Sequence, residues 1–314
     1  MSAYGYSKKT TPWLDTQLGE SNLIFFKNAY SAYVNTVLSL THALTARSQF
    51  SATPLSESPS IVEIAKASGF EVWWFSNQSK LGTWDTPISI IAKSANHQKW
   101  ITPNLGDIKF SSHYDEDLIP LIDTIPIDTN GTPKKKKLLI IHVMGCHASY
   151  SQRYPNSFYK RSLSHNENYD TAIRYQDYVI QGIYNKLSER PDFQSLVVVS
   201  DHGEDPSIGH DADKFTWQMA HIPMFVFISD QFSKEHGETL RDQLTQNANK
   251  AFTNDLLFDL LCGILGITDH NYYNSENDIS SKNYSRAPSE LTILDGKFKV
   301  TQDPSFKSSI TPND

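Results

Sequence analysis

Apolar positions along this chain follow two alternating rhythms. Leu23–Phe26, Glu71–Ser76, Lys137–Met144, Leu196–Ser200 and Pro223–Ile228 are short runs rich in β-branched and aromatic residues, and they predict strands. Between them the apolar residues recur at helical spacing. Val37, Leu40 and Leu44 do so within Thr36–Ala46. Ile61, Ile64 and Ala65 do so after Pro59-Ser60, and Gly69 ends that helix. Ile173, Val179, Ile180, Ile183, Tyr184 and Leu187 give Tyr169–Leu187 one apolar face. Asn254–Leu265 predicts a further helix, and Asp295-Gly296 predicts a hairpin within Leu291–Val300. Residues 97–136 are less regular and read as an insertion. Strands alternating with helices predict an α/β fold, a mainly parallel sheet with helices on both faces. The expected organisation is one domain over residues 1–300, followed by a polar, flexible tail over 301–314.

With 314 residues the chain is long enough to bury a large core. A net charge of −7 leaves no basic footprint, which excludes nucleic acid as an expected partner. The one basic run, Lys134 to Lys137, precedes an apolar strand and reads as a solvated strand entrance. No apolar stretch is long enough to span a bilayer, and the opening Met1-Ser-Ala-Tyr-Gly-Tyr6 is not a signal peptide. Cys146 and Cys262 are the only cysteines, and no disulfide is expected between them.

Candidate chemistry gathers after the strands. Leu196-Val-Val-Val199 breaks off into Ser200-Asp-His-Gly-Glu204, offering Asp201 and His202, both suited to a divalent metal such as zinc. His147 follows the Lys137–Met144 strand, Lys80 follows Glu71–Ser76, and His210 lies in the loop beyond His202. Parallel strands would bring those ends together in space. Thr36 opens a helix, which admits two readings. It is the N-cap, satisfying an orphan N–H of the first turn, or it is a hydroxyl nucleophile at a helix end that favours anions.

The chain resembles the catalytic domain of the phosphoethanolamine transferases, within the alkaline phosphatase/sulfatase superfamily. Four segments carry the resemblance in order: Ser2-Ala-Tyr-Gly-Tyr6 through Pro12; Ser76-Asn-Gln-Ser-Lys80 through Pro87; Ile141-His-Val-Met-Gly-Cys-His147 with Arg153-Tyr-Pro155; and Ser200-Asp-His-Gly-Glu204. The resemblance implies an alkaline phosphatase/sulfatase-like fold. It implies Thr36, in its T-x-x-S context with Ser39, as the nucleophile and a metal contact. Asp201 and His202 would be ligands of zinc, with one or two ions bound. His147 and His210 would bind the phosphoryl group or a second metal and protonate or orient the leaving and attacking oxygens, and Lys80 would help neutralise phosphate. The implied reaction moves phosphoethanolamine from phosphatidylethanolamine, through a phosphothreonine, to a lipopolysaccharide-type or other envelope glycan acceptor. It would take place at a membrane surface, on the periplasmic side of the inner membrane.

Two departures from the family pattern set further expectations. The family's glutamate ligand lies on a strand upstream of the segment where this chain begins, and the membrane-embedded region precedes that. The chain is therefore expected to bind metal weakly and to be catalytically impaired as a fragment. A sulfatase needs a Cys or Ser in a C/S-x-P-x-R context, which is absent near Thr36. A phosphoglycerol transferase or another hydrolase of the superfamily stays open as an alternative.

Overall fold

A computed structural model describes residues 1–82, 85–102, 113–128 and 135–306. Its strands are β1 (Leu23–Phe26), β2 (Ala29–Tyr30), β3 (Glu71–Ser76), β4 (His97–Trp100), β5 (Lys137–His142), β6 (Ser195–Val199), β7 (Met224–Ile228), β8 (Phe252–Thr253), β9 (Thr292–Ile293) and β10 (Phe298–Lys299). Its helices are α1 (Pro12–Gln17), α2 (Thr36–Ala43), α3 (Ile61–Ala67), α4 (Thr86–Lys93), α5 (His165–Ser188), α6 (Trp217–Ala220), α7 (Asp230–His236), α8 (Thr239–Asn247) and α9 (Leu257–Leu265). The chain divides into two compact units, residues 1–20 with 69–194 and residues 21–68 with 195–314.

The first unit is built on a parallel sheet of order β4-β3-β5. β3 is its centre, and Val72 through Ser76 are all buried. Such a strand has no solvent face, which is why Glu71-Val-Trp-Trp-Phe75 reads as a continuous apolar run rather than an alternating one. The stretch read as an insertion supplies the edge strand β4 and a 3-10 helix, Asp115–Thr124. His97-Gln-Lys-Trp100 carries no apolar pattern because an edge strand can face water. The rest of that stretch, 103–112 and 129–134, lies outside the described residues, as do Lys134 and the end of the tail. Lys137 is not a solvated charge: its ammonium lies 3.0 Å from Asp128 and 3.1 Å from Asp192. Helix α5 packs Tyr175, Val179 and Ile183 against Tyr150 and Tyr154. Its Asp177 accepts the Trp13 and Leu14 N–H groups at 2.7 and 3.0 Å, satisfying the open amino end of α1.

In the second unit the sheet order is β1-β7-β6, and both pairings are antiparallel. Helices flank strands here too, but strand direction departs from the parallel expectation. The reason lies in the connection. The connection, residues 200–223, is long enough for a parallel crossover, but its only α-helix is the single turn α6, and such crossovers are usually made by a packed helix. β7 is central, and all five of its side chains are buried. The short strands β2 and β8 pair parallel, and β9 and β10 form the expected hairpin around Asp295-Gly296. Helix α3 starts on the predicted Ser60, whose side chain and that of Glu63 form a capping box. Among the described residues no helix is long and apolar enough to cross a membrane.

Candidate metal centre

The site of the second unit begins where β6 stops. Past Val199 the Ser200 N–H donates to the Pro223 carbonyl at 3.2 Å, and the chain then turns against the backbone of α6. The Gly203 N–H donates to the Met219 carbonyl at 2.7 Å. A Cβ on residue 203 would sit 2.1 Å from the Gln218 carbonyl oxygen, so only glycine lets the loop lie this close.

This turn orients His202. Its Nδ1 lies 2.8 Å from the Gly203 carbonyl. A carbonyl only accepts, so in the neutral ring the proton sits on Nδ1 and Nε2 presents its lone pair. Nε2 lies 3.4 Å from Thr36 Oγ1 and 3.4 Å from Asp201 Oδ2. Donor atoms about 2.0–2.1 Å from a tetrahedral zinc are about 3.3 Å from one another, so these separations suit that ion. A ligating histidine whose other nitrogen donates to a backbone carbonyl is a common arrangement at metal sites.

Thr36 is not the cap. Asn35 is, with extended backbone (φ −140°, ψ 148°) and a side-chain oxygen that accepts the Leu38 N–H at 3.0 Å. Thr36 is the first residue of α2, and its hydroxyl points to His202. The helix end adds a partial positive charge where an anion would dock.

His210 joins the same group. A backbone bridge between Asp205 and Gly209, with N–H donors at 3.0 and 2.6 Å, folds the intervening loop back on itself. The rings of His202 and His210 then lie 4.4 Å apart between centroids. His210 Nδ1 is 2.7 Å from Glu204 Oε2, and this hydrogen bond raises the His210 pKa above the ordinary histidine value, against the opposing effect of burial. His202, Glu204 and His210 each offer a ligand atom, all within 4.8 Å of one another. Glu204 is the residue that sequence reading passes over. It stands there only as the last letter of a motif, although a carboxylate two residues beyond a metal-type histidine is signal enough.

Lys80 and His147 belong to the first unit. Both follow the carboxyl ends of paired parallel strands, where Ser76 of β3 is in register with His142 of β5. Asp115 secures the turn ahead of His147. It is buried and accepts the Met144 and Gly145 N–H groups at 2.8 and 2.9 Å and the Asn77 side chain at 2.9 Å.

Known proteins share this fold. The sulfatase family model matches residues 1–270. The chain is 26% identical over 258 residues to the phosphoethanolamine transferase EptC of Escherichia coli K12, a match covering 75% of this chain and 44% of that protein. In structure it is similar to the C-terminal periplasmic domain of Escherichia coli EptC in its complex with zinc (TM-score 0.83, 22% identity, covering 97% of this chain and 89% of that one). It is also similar to the soluble domain of lipooligosaccharide phosphoethanolamine transferase A from Neisseria meningitidis (TM-score 0.73, 23% identity, 92% and 89% covered). The chain spans about half the length of the curated relatives it matches. The fold is thus alkaline phosphatase/sulfatase-like, as the sequence resemblance implied. Its sequence match and its architecture together make this chain a member of the sulfatase family.

Proposed function

We propose that this chain carries the catalytic centre of a phosphoethanolamine transferase, with Thr36 as the group that takes up phosphoethanolamine and Thr36, Asp201 and His202 as zinc ligands. One observation supports the reading most. The Thr36 hydroxyl is relieved of helix capping by Asn35 and lies 3.4 Å from the open nitrogen of His202. A zinc ion held by these groups would lower the pKa of the threonine hydroxyl and offset charge on the phosphoryl oxygens.

The chain's own residues supply the rest. Thr36 Oγ1 attacks phosphorus of phosphatidylethanolamine, its proton passes to solvent water, and the bond to the diacylglycerol oxygen breaks. That oxygen must gain a proton. His210, whose pKa is raised by its hydrogen bond to Glu204, is suited to donate it or to stabilise the equatorial oxygens. The phosphothreonine then passes its group to an acceptor hydroxyl or phosphate and restores the free hydroxyl. His147 and Lys80 are proposed for phosphoryl handling as well. The donor would be phosphatidylethanolamine and the acceptor a lipopolysaccharide-type glycan, on the periplasmic side of the inner membrane. The relatives' names support the donor group, and the zinc complex of the EptC domain supports the metal.

The test is direct. The chain is incubated with zinc and phosphatidylethanolamine in detergent micelles, then digested and analysed by mass spectrometry. A phosphoethanolamine adduct on Thr36, small in amount for a chain expected to bind metal weakly and absent from Thr36→Ala, is the expected result. An adduct formed only with phosphatidylglycerol would reassign the chain to phosphoglycerol transfer, and no adduct on Thr36 with either lipid would end this reading.

A further inference from the structure

Ser39 stands one turn beyond Thr36 on the same face of α2. Where Thr36 turns its hydroxyl to the His202 side chain, Ser39 donates to the main-chain carbonyl of Asp201. The same carbonyl accepts from Asn254 Nδ2 at 2.8 Å and lies 2.5 Å from Ser31 Oγ, whose single proton also has the Tyr33 carbonyl within reach. Asn254 is held from its other end, its Oδ1 accepting the Ala32 N–H at 3.0 Å. The two serine oxygens are 2.7 Å apart, and Asn254 Nδ2 is 3.2 and 3.1 Å from them. Ser31 and Ser39 are fully buried, and Asn254 is 1% exposed.

None of these groups has a part in the phosphoryl chemistry proposed above. Burying two hydroxyls and an amide costs free energy unless every group is bonded, and apolar residues would fill the same space without that demand. The carbonyl they grip belongs to the peptide linking Asp201 to His202. Fixing that peptide fixes the origin of both metal-binding side chains at once. Because Ser39 shares a rigid helical turn with Thr36, it also fixes where the nucleophile stands relative to them.

We propose that Ser39, Ser31 and Asn254 form a buried positioning clamp that sets the separation between the Thr36 hydroxyl and the Asp201–His202 pair, with Ser39 as its pivot. The proposal rests on the reading that Thr36, Asp201 and His202 share a zinc ion. It gives the T-x-x-S spacing a physical purpose: the first residue meets the side chains and the fourth meets the backbone that carries them.

The full chain and its Ser39→Ala variant are compared by calorimetric zinc titration, by thermal melting of the metal-free protein, and by the rate of adduct formation on Thr36 from phosphatidylethanolamine micelles. Thr41→Val is the control. It removes another largely buried hydroxyl of α2, one that donates to the Val37 carbonyl at 2.6 Å and does not reach Asp201. Ser39→Ala is expected to weaken zinc binding about tenfold or more. It should slow adduct formation by a similar factor with the concentration dependence on lipid unchanged. Thr41→Val should lower the melting temperature comparably and keep the zinc affinity of the parent. A folded Ser39→Ala protein with parental zinc affinity overturns the clamp, and so does an equal loss of affinity in Thr41→Val. Parental protein that binds zinc but forms no adduct sinks the transferase reading, while the zinc titration still decides the clamp. Should Ser39→Ala not fold, zinc titration of Asn254→Asp decides between the outcomes, because this variant keeps the acceptor for Ala32 and replaces only the donor that faces Asp201.

Discussion

Asn35 and Thr36 stand side by side with unlike duties, and substitution should separate them. Asn35→Ala removes the acceptor of the Leu38 N–H and should cost about 1 kcal/mol in a urea melt. Thr36→Ala removes no cap and should leave the melt nearly unchanged while abolishing adduct formation. A destabilisation by Thr36→Ala as large as that of Asn35→Ala would return the cap to Thr36. Gly203 offers a harsher test, since a Cβ there meets main-chain oxygen that cannot swing aside. Gly203→Ala should destabilise by about 3 kcal/mol and loosen zinc binding with it, because the same displacement moves His202.

At the scale of elements, β7 and α9 carry opposite kinds of burial. β7 is apolar throughout, and Phe227 is fully buried between neighbours on both sides of the strand. Phe227→Ala should cost about 3–5 kcal/mol by chemical denaturation. Helix α9 instead buries the carboxylate Asp259, and Gly263 leaves room for Asp278 to press against the helix. Burial holds the pKa of each of these carboxyls up at about 6. In the unfolded chain both would titrate near the ordinary aspartate value of about 4. Between about pH 4 and pH 6 the folded protein therefore binds protons that the unfolded chain has released, and their contribution to stability falls as pH rises through that window. Asp278→Asn keeps an acceptor for Ser280 and leaves an amide to meet Tyr273, so it should remove its share of this dependence. Urea midpoints at pH 4.5 and 7.5 should differ less in Asp278→Asn than in the parent, with the variant more stable at the higher pH. Equal slopes in the two proteins would refute the assignment.

For the whole molecule, stability should be unevenly spread. β3 and β7 are the central strands of the two three-stranded sheets and are buried along nearly their whole length. Their amides should be the slowest to exchange in native-state hydrogen exchange, and those of the edge strand β4 far faster. Much of this organisation was legible in the sequence. The runs Leu23–Phe26 and Glu71–Ser76 are strands with the bounds their composition gave, Ser60 opens its helix, and Asp295-Gly296 turns its hairpin. These are local choices, made by residues whose backbone preferences and apolar spacing act within a few positions. β4 was hidden because an edge strand needs no apolar face, and the direction of β6 against β7 was hidden because it depends on whether the connection folds into a packed helix, which the apolar runs of the strands do not reveal.

The sequence alone determined the elements, the family motifs and the types of group able to bind a metal, since each of those depends on residue identity and short spacing. Only the tertiary structure decided that Asn35 caps α2 and frees Thr36, that Glu204 holds His210, and that Ser31, Ser39 and Asn254 converge on one carbonyl. The first two contacts are close in sequence but are set by how the folded backbone turns at Asn35 and at the Asp205–Gly209 bridge, and the third brings Ser31 and Ser39 to an Asp201 that is 170 and 162 residues away, a distance no local pattern encodes.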